Sequence, residues 1–296
     1  MAPRLNDFTL DPHLTNKDDS DPILDYKSID TSDFDRKKIF LGKIPFYPAT
    51  STELVAHSIH KLDAMREKKK QSTRRFGAQL VIPFDPYRYT WVRFRPRMVK
   101  MAQEAFINLP DGAGILYMSR CLRTPLPEPI TTVSYAMNLI RIAHAKEYTV
   151  FLLGSKDETL EKLYTNFRRS FSGLRIVGRH HGYIKGVIAD RVLEAVRKTD
   201  PHILFVGMGY HRGMKWIEKN RSVLGDMIVI NVGGAFETLA GVKKKAPDFL
   251  AVKGLTWFWR AINKPYRWHR LILVAYWYLE TQFLRFFKKN REPSNP

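Results

Sequence analysis

The stretch YTVFLLGSKDETLEKLYTNFRRSF at residues 148–171 sets the pattern for the chain, with an apolar run closed by glycine and then a segment of helical period. The pattern repeats: LRIVGRHHGY at 174–183 precedes DRVLEAVRKT at 190–199, HILFVGM at 202–208 precedes a helix around KWIEKNR, and DMIVINVGG at 226–234 closes the series. Short, almost wholly apolar strands alternating with helices imply an α/β fold in which a parallel sheet is covered by helices on both faces. In such sheets ligands bind at the carboxyl ends of strands. Here those ends carry LLGS, HHGY, GMGY and VGGAF. Glycines let backbone amides approach phosphates, and helix N-termini favour anions, so a nucleoside diphosphate is the expected guest. Neither GxGxxG nor GxxxxGK[ST] occurs, so the dinucleotide and P-loop fingerprints are missing.

Upstream, KKIFLGKIPFYPA at 37–49 alternates like paired strands, and STELVAHSIHKLDAMREKKK at 51–70 is a helix opened by Ser51 or Thr52 with Glu53. AQLVIPF at 78–84 reads as a buried strand, and RPRMVKMAQEAF at 95–106 as a helix leading into INLPDGAG. Residues 1–36, rich in Asp, Ser, Thr and Pro, are expected to be a disordered arm. The expected organisation is therefore an arm at 1–36, an α/β core at 37–250 and a C-terminal appendage at 251–296.

Forty-nine Lys and Arg against 29 Asp and Glu give a formal charge of +20, which calls for an anionic partner. The single cysteine, Cys121, rules out an intramolecular disulfide and fits a reducing compartment. No apolar leader opens the sequence, so a cytoplasmic location is expected. The appendage interleaves cations with Trp257, Trp259, Trp268 and Trp277, and its run LILVAYWYL is shorter than the roughly 20 apolar residues needed to span a bilayer. Such a segment suits an interfacial helix, aromatic side in the headgroups and cations toward an anionic membrane surface, with the four tryptophans either interfacial anchors or core. With no recognition module legible, nucleic acid is not the expected partner.

Five segments, INLPDGAG, RIVGRHHGYI, the glycine-rich strand end before KWIEKN, NVGGAFETLAG, and KKAPDFLAVKGLTWFWRAINKPYRWHR, stand in an order that resembles the WecG/TagA/CpsF family of bacterial glycosyltransferases. The most specific is G-L-x-W-x-x-R-x-x-x-x-P-x-R-x-x-R from Gly254 to Arg270. The resemblance implies a Rossmann-like core with a C-terminal helical, membrane-associating appendage. It also implies inverting, metal-independent transfer of N-acetylmannosamine or its uronic acid. The donor would be a UDP-sugar and the acceptor a polyprenyl-diphosphate-linked glycan, in cell-surface polysaccharide synthesis. The enzyme would be peripheral on the inner face of the cytoplasmic membrane, and self-association is a further expectation.

By the same resemblance Asp111 is the general base, although PDG is also an ordinary turn. Asp85 stands where the family has the Asn of Thr-x-Asn, and is either a substrate contact or a cap for the next segment. Substrate binding falls to Gly112, Gly154, His181, Gly182, Tyr183, Gly209, Lys215, Trp216, Gly233, Gly234, Phe236 and Glu237. Arg260, Arg267 and Arg270 match the family's C-terminal arginines; a planar guanidinium grips diphosphate oxygens bidentately. His180 and His181, adjacent on a strand, are expected to point to opposite faces and not to share a metal. Three polar stretches depart from the family pattern: Thr-x-Asn becomes Pro83-Phe84-Asp85, the Arg and the carboxylate after LPEP are missing from Pro129–Ser134, and the Gln-Glu before Trp216 becomes Gly213-Met214. They leave open a second reading, a catalytically degenerate relative acting as a binding or scaffold subunit.

Overall fold

A computed structural model of the chain describes residues 26–34, 38–70, 76–242 and 268–289. The elements, in order, are β1 (Ile39–Leu41), β2 (Ile44–Phe46), α1 (Ser51–Lys70), β3 (Gln79–Phe84), α2 (Pro86–Arg93), α3 (Pro96–Gln103), β4 (Ile107–Pro110), α4 (Ala113–Cys121) and α5 (Thr132–Ala145). They continue as β5 (Thr149–Gly154), α6 (Asp157–Ser170), β6 (Arg175–His180), α7 (Val187–Thr199), β7 (Ile203–Gly207), α8 (Tyr210–Asn220), β8 (Ile228–Asn231), α9 (Ala235–Leu239) and α10 (His269–Lys289). The main sheet has six strands in the order β4-β3-β8-β7-β5-β6, and β1 pairs with β2 in an antiparallel hairpin. The α/β architecture read from the sequence is the one observed.

The chain divides into two compact units that interleave in sequence. Unit 1 comprises Met1–Asp33, Ser51–Ile82 and Thr132–Lys244; unit 2 comprises Phe34–Thr50, Pro83–Thr131 and Lys245–Pro296. Helix α10 falls in unit 2, with 34–50 and 83–131.

In unit 1, β3, β8, β7 and β5 pair in parallel registers, and β5 also pairs with β6 across an irregularity at Val150/Phe151. Strands β7 and β8 are buried at every position, as a sheet covered on both faces requires. The β6 strand lies at the edge and is half-buried, which is why its sequence carries Arg175, Arg179 and His180 among the apolar residues. Helix α5 was not legible. Its sequence, TVSYAMNLIRIAHA, is buried along most of its length and so shows no single apolar stripe.

The arm expected to be disordered through residue 36 is ordered at 26–34. Tyr26 and Thr31 are buried, and the Thr31 hydroxyl lies 2.9 Å from His60 Nδ1. Asp63 accepts hydrogen bonds from Tyr26, Lys146 and Tyr148. These contacts outweigh local polarity, since the apolar Tyr26 ring has α1 to pack on. Residues 1–25 of the expected arm lie outside the described residues.

In unit 2, Gly42 turns the β1–β2 hairpin at φ +60, where a Cβ would stand 2.4 Å from the Tyr89 hydroxyl. The Asn108 amide donates to the carbonyls of Pro45 and Ala102, both at 2.8 Å, tying β4 to the hairpin and to α3. Helix α10 packs on α2. The Thr90 hydroxyl is 3.0 Å from the Leu273 carbonyl, Arg93 Nε donates to Glu280 at 3.0 Å, and the Phe94 and Tyr276 rings meet at 4.9 Å. Trp277 is buried against Tyr117 of α4. Ile272, Leu279, Phe283 and Phe286 remain exposed on α10. No helix among the described residues is long and apolar enough to cross a membrane.

Burial raises the Asp63 carboxyl, but its hydrogen bonds to Lys146, Tyr148 and Tyr26 outweigh that and hold it below its ordinary value of 3.8. A carboxylate depressed in the folded state contributes stability above its unfolded pKa and loses it as pH falls through the folded one. Asp63→Asn is therefore expected to lower the melting temperature at pH 7, with the gap to wild type closing below about pH 4; thermal scans between pH 3 and 7 measure it.

Candidate active site

The site residues divide between the two units. In unit 1 they sit at the carboxyl ends of β5, β6, β7 and β8, where backbone approaches backbone. Gly154 ends β5 at φ +143, and a Cβ there would lie 2.2 Å from the carbonyl carbon of Gly207. Gly207 ends β7, and its own Cβ would strike the Phe236 ring at 2.4 Å. Backbone bonds lock these ends together: Ser155 N–H donates to Gly207 O at 2.9 Å, Gly182 N–H to Ser155 O at 2.9 Å, and Gly209 N–H to Gly233 O at 3.1 Å.

Ser155, itself at φ +63, donates its hydroxyl to Glu237 Oε1 at 3.1 Å. Glu237 Oε2 is buried with no hydrogen-bond partner among the described residues, 3.3 Å from where a Gly234 Cβ would be. An unpartnered buried carboxylate oxygen is costly, and a ligand N–H or O–H placed there would satisfy it. Beside this cluster a cavity of about 200 Å³ is lined by Gly182, Tyr183, Lys185, Met208, Arg212 and Trp216. Arg212 Nε donates to Met208 O at 2.9 Å, and its guanidinium sits 4.9 Å from the centre of the Tyr183 ring. The lining therefore offers two cations and two aromatic faces, a combination that suits an anionic, ring-containing ligand. Lys215, expected at the site, is exposed on α8 and not among the lining residues.

The two histidines do not behave as expected. His180 is the last residue of β6 and His181 lies beyond it, so strand alternation no longer separates them. Their rings are 4.3 Å apart; His180 Nδ1 lies 2.9 Å from His181 O, and His181 Nδ1 accepts from Tyr183 N–H at 3.2 Å. No group of three metal-ligating side chains occurs among the described residues.

In unit 2, Asp111 follows β4 directly. Its N–H donates to Phe84 O at 2.7 Å, and Gly112 at φ +96 opens α4 behind it. Arg88 Nη1 donates to Asp111 Oδ2 at 2.7 Å and Arg88 Nε lies 3.3 Å from Asp85 Oδ2. Asp85 Oδ1 accepts from Arg88 N–H at 2.7 Å, the N-cap of α2. Of the two readings left open for Asp85, the structure thus shows the cap. One residue before Arg88, Tyr87 carries the Arg270 guanidinium 4.6 Å from its ring centre. Arg260, Arg267, Trp257 and Trp259 lie outside the described residues.

Sequence reasoning missed Ser155 and Arg88. Ser155 had a usable signal, since a serine directly after a strand-ending glycine lies where ligands bind. Arg88 had only its i,i+3 spacing from Asp85, a pattern common on solvated helix faces.

The model of the Glycosyl transferase WecG/TagA/CpsF family matches residues 54–292. Among curated relatives, the N-acetylglucosaminyldiphosphoundecaprenol N-acetyl-beta-D-mannosaminyltransferase of Bacillus subtilis is 30% identical over 168 residues, 56% of this chain and 64% of the relative. The protein of the same name from Bacillus spizizenii is 28% identical, covering 60% of this chain and 69% of the relative. That from Staphylococcus aureus is 28% identical, covering 55% and 64%. The chain thus spans a little under two thirds of the length of the B. subtilis and S. aureus relatives.

The closeness of the strand ends is testable. Gly154→Ala puts a Cβ into the Gly207 backbone at a φ that side chains rarely adopt, and is expected to cost about 2–4 kcal/mol. A denaturant-melt midpoint equal to wild type would show that the two strand ends can part freely.

Proposed function

The chain belongs to the WecG/TagA/CpsF family of glycosyltransferases, and from that premise we propose that it moves an N-acetylhexosamine-type sugar from a UDP donor to a polyprenyl-diphosphate-linked acceptor. The placement of Asp111 at the end of β4, fixed by Phe84 and Arg88, carries this reading. The relatives named above are N-acetylmannosaminyltransferases acting on N-acetylglucosaminyldiphosphoundecaprenol, which favours N-acetylmannosamine or its uronic acid as the donor sugar.

In the proposed reaction Asp111 takes the proton of the acceptor hydroxyl as its oxygen attacks the anomeric carbon. The new C–O bond forms as the bond to UDP breaks, the electron pair leaves with the diphosphate, and the anomeric configuration inverts. The strand ends of unit 1 suit the donor. Glycine backbone admits the diphosphate, and Glu237 Oε2 accepts from a ribose or base donor. Arg260, Arg267 and Arg270 neutralise charge on the leaving UDP in place of a metal ion.

The exposed Ile272, Leu279, Phe283 and Phe286 of α10 support a peripheral seat on the inner leaflet of a bacterial cytoplasmic membrane. Apolar side chains would enter the headgroup boundary, and each nearby Lys or Arg would add roughly 1 kcal/mol on anionic lipid. A family relative that only binds and scaffolds would have the same tail and would show no turnover.

Purified protein, UDP-N-acetylmannosamine and a lipid-diphosphate acceptor analogue test the chemistry. Asp111→Asn is expected to lower kcat by at least about 10³-fold while UDP affinity stays within twofold; a fully active variant removes Asp111 from the mechanism. For the membrane seat, the double change Ile272→Glu and Phe283→Glu is expected to reduce sedimentation with phosphatidylglycerol vesicles more than tenfold. Unchanged sedimentation would assign the apolar side of α10 elsewhere.

A further inference from the structure

We propose that Arg88 is the positioning residue for the base, holding the Asp111 carboxylate in the orientation from which it takes the acceptor proton. The inference rests on the reading of Asp111 as that base. None of the five motif segments quoted from the sequence contains Arg88. The fold brings it to the end of β4 on the first turn of α2.

The arrangement is a relay of three charged side chains. Arg88 Nη1 grips Asp111 Oδ2 at 2.7 Å, within the range of a charge-assisted bond. Arg88 is in turn held at two points by Asp85, whose Oδ1 caps the Arg88 N–H at 2.7 Å while its Oδ2 lies 3.3 Å from Arg88 Nε. Pro86, at the first position of α2, presets the backbone for that cap, and Gly114 of α4 leaves room for its ring, since a Cβ there would be 2.3 Å from Pro86 Cγ. The guanidinium is therefore placed by backbone as well as by charge.

The side chains of Arg88 and Asp111 are 15% and 20% exposed. An ion pair at that depth is screened far less than a surface pair and restricts rotation of the carboxylate about its Cβ–Cγ bond. Arg88 remains protonated throughout the working range, so it neither supplies nor removes a proton. Its contribution is orientation, and misplacing a catalytic group by about 1 Å can cost around 10²-fold in rate.

A neighbouring segment strengthens the assignment. Ile130 N–H donates to Pro110 O at 2.9 Å, which lays the stretch after LPEP alongside the residue preceding Asp111. That stretch, Pro129-Ile130-Thr131, contains no basic residue. Among the described residues a guanidinium on Asp111 comes from α2.

The test compares wild type, Arg88→Met, Arg88→Lys, Arg88→Ala and Asp111→Asn, full-length, with UDP-N-acetylmannosamine and the acceptor analogue, recording kcat, KM, UDP affinity and melting temperature. Expected results are a kcat loss of about 10²-fold for Arg88→Met with UDP affinity within twofold, and a smaller loss for Arg88→Lys. Millimolar guanidinium should restore Arg88→Ala several-fold, a response that a purely structural role would not give. The proposal is overturned if Arg88→Met keeps kcat within threefold of wild type while Asp111→Asn is inactive. It is equally overturned if kcat, UDP affinity and melting temperature fall together without guanidinium rescue. Activity retained by Asp111→Asn would remove the base itself, a separate outcome read from a separate variant. Should Arg88→Met fail to fold, Asp85→Asn releases the guanidinium without burying a new side chain and is expected to lower kcat in the same direction.

Discussion

The close approach of β5 and β7 at their carboxyl ends is the constraint on which unit 1 depends. A Cβ on Gly154 would strike the Gly207 backbone, and one on Gly207 would strike the Phe236 ring that closes over it. With side chains excluded, the chain must turn sharply, which accounts for Ser155 at positive φ and for its bonds to Gly207 and Glu237. Ser155 is thereby placed between the Gly182 amide, which donates to its carbonyl, and Glu237, which accepts from its hydroxyl. The parallel sheet provides rigidity, and the glycines convert it into a surface of backbone.

Unit 2 is organised by the first turn of α2. Within four residues Asp85 caps the helix, Pro86 packs on Gly114, Tyr87 carries Arg270, and Arg88 holds Asp111. The later turns of the same helix seat α10 through Thr90, Arg93 and Phe94. A single eight-residue helix thus carries both the arginine that pairs with Asp111 and the seat of α10. The tail helix is a packed part of unit 2 and at the same time the carrier of an exposed apolar side.

Much of the fold was legible because its strands are buried on both faces. YTVFLLG, HILFVGM and DMIVINV are almost wholly apolar, as strands of a sheet with helices on each side are. Elements without such a signature were read less well. Helix α5 is apolar nearly all round, and residues 26–34 look like a polar arm until Tyr26 and Thr31 find α1. At the site, glycines announced themselves because a strand-ending glycine before a helix has few other uses. Ser155 and Arg88 did not, because serine and arginine are at home on any surface.

Composition, apolar periodicity and the order of five motifs were enough, by sequence alone, to determine the α/β class, the glycine-rich strand ends, the family and the cationic aromatic tail. The tertiary structure alone decided that Asp85 caps α2, that His180 and His181 lie side by side, and that Arg88 rests on Asp111. The reason is range. Periodicity and turn chemistry act between residues a few positions apart and leave a trace in the string. Arg88 and Asp111 are 23 residues apart and Thr90 and Leu273 are 183 apart, and such pairs exist only once the chain has been packed.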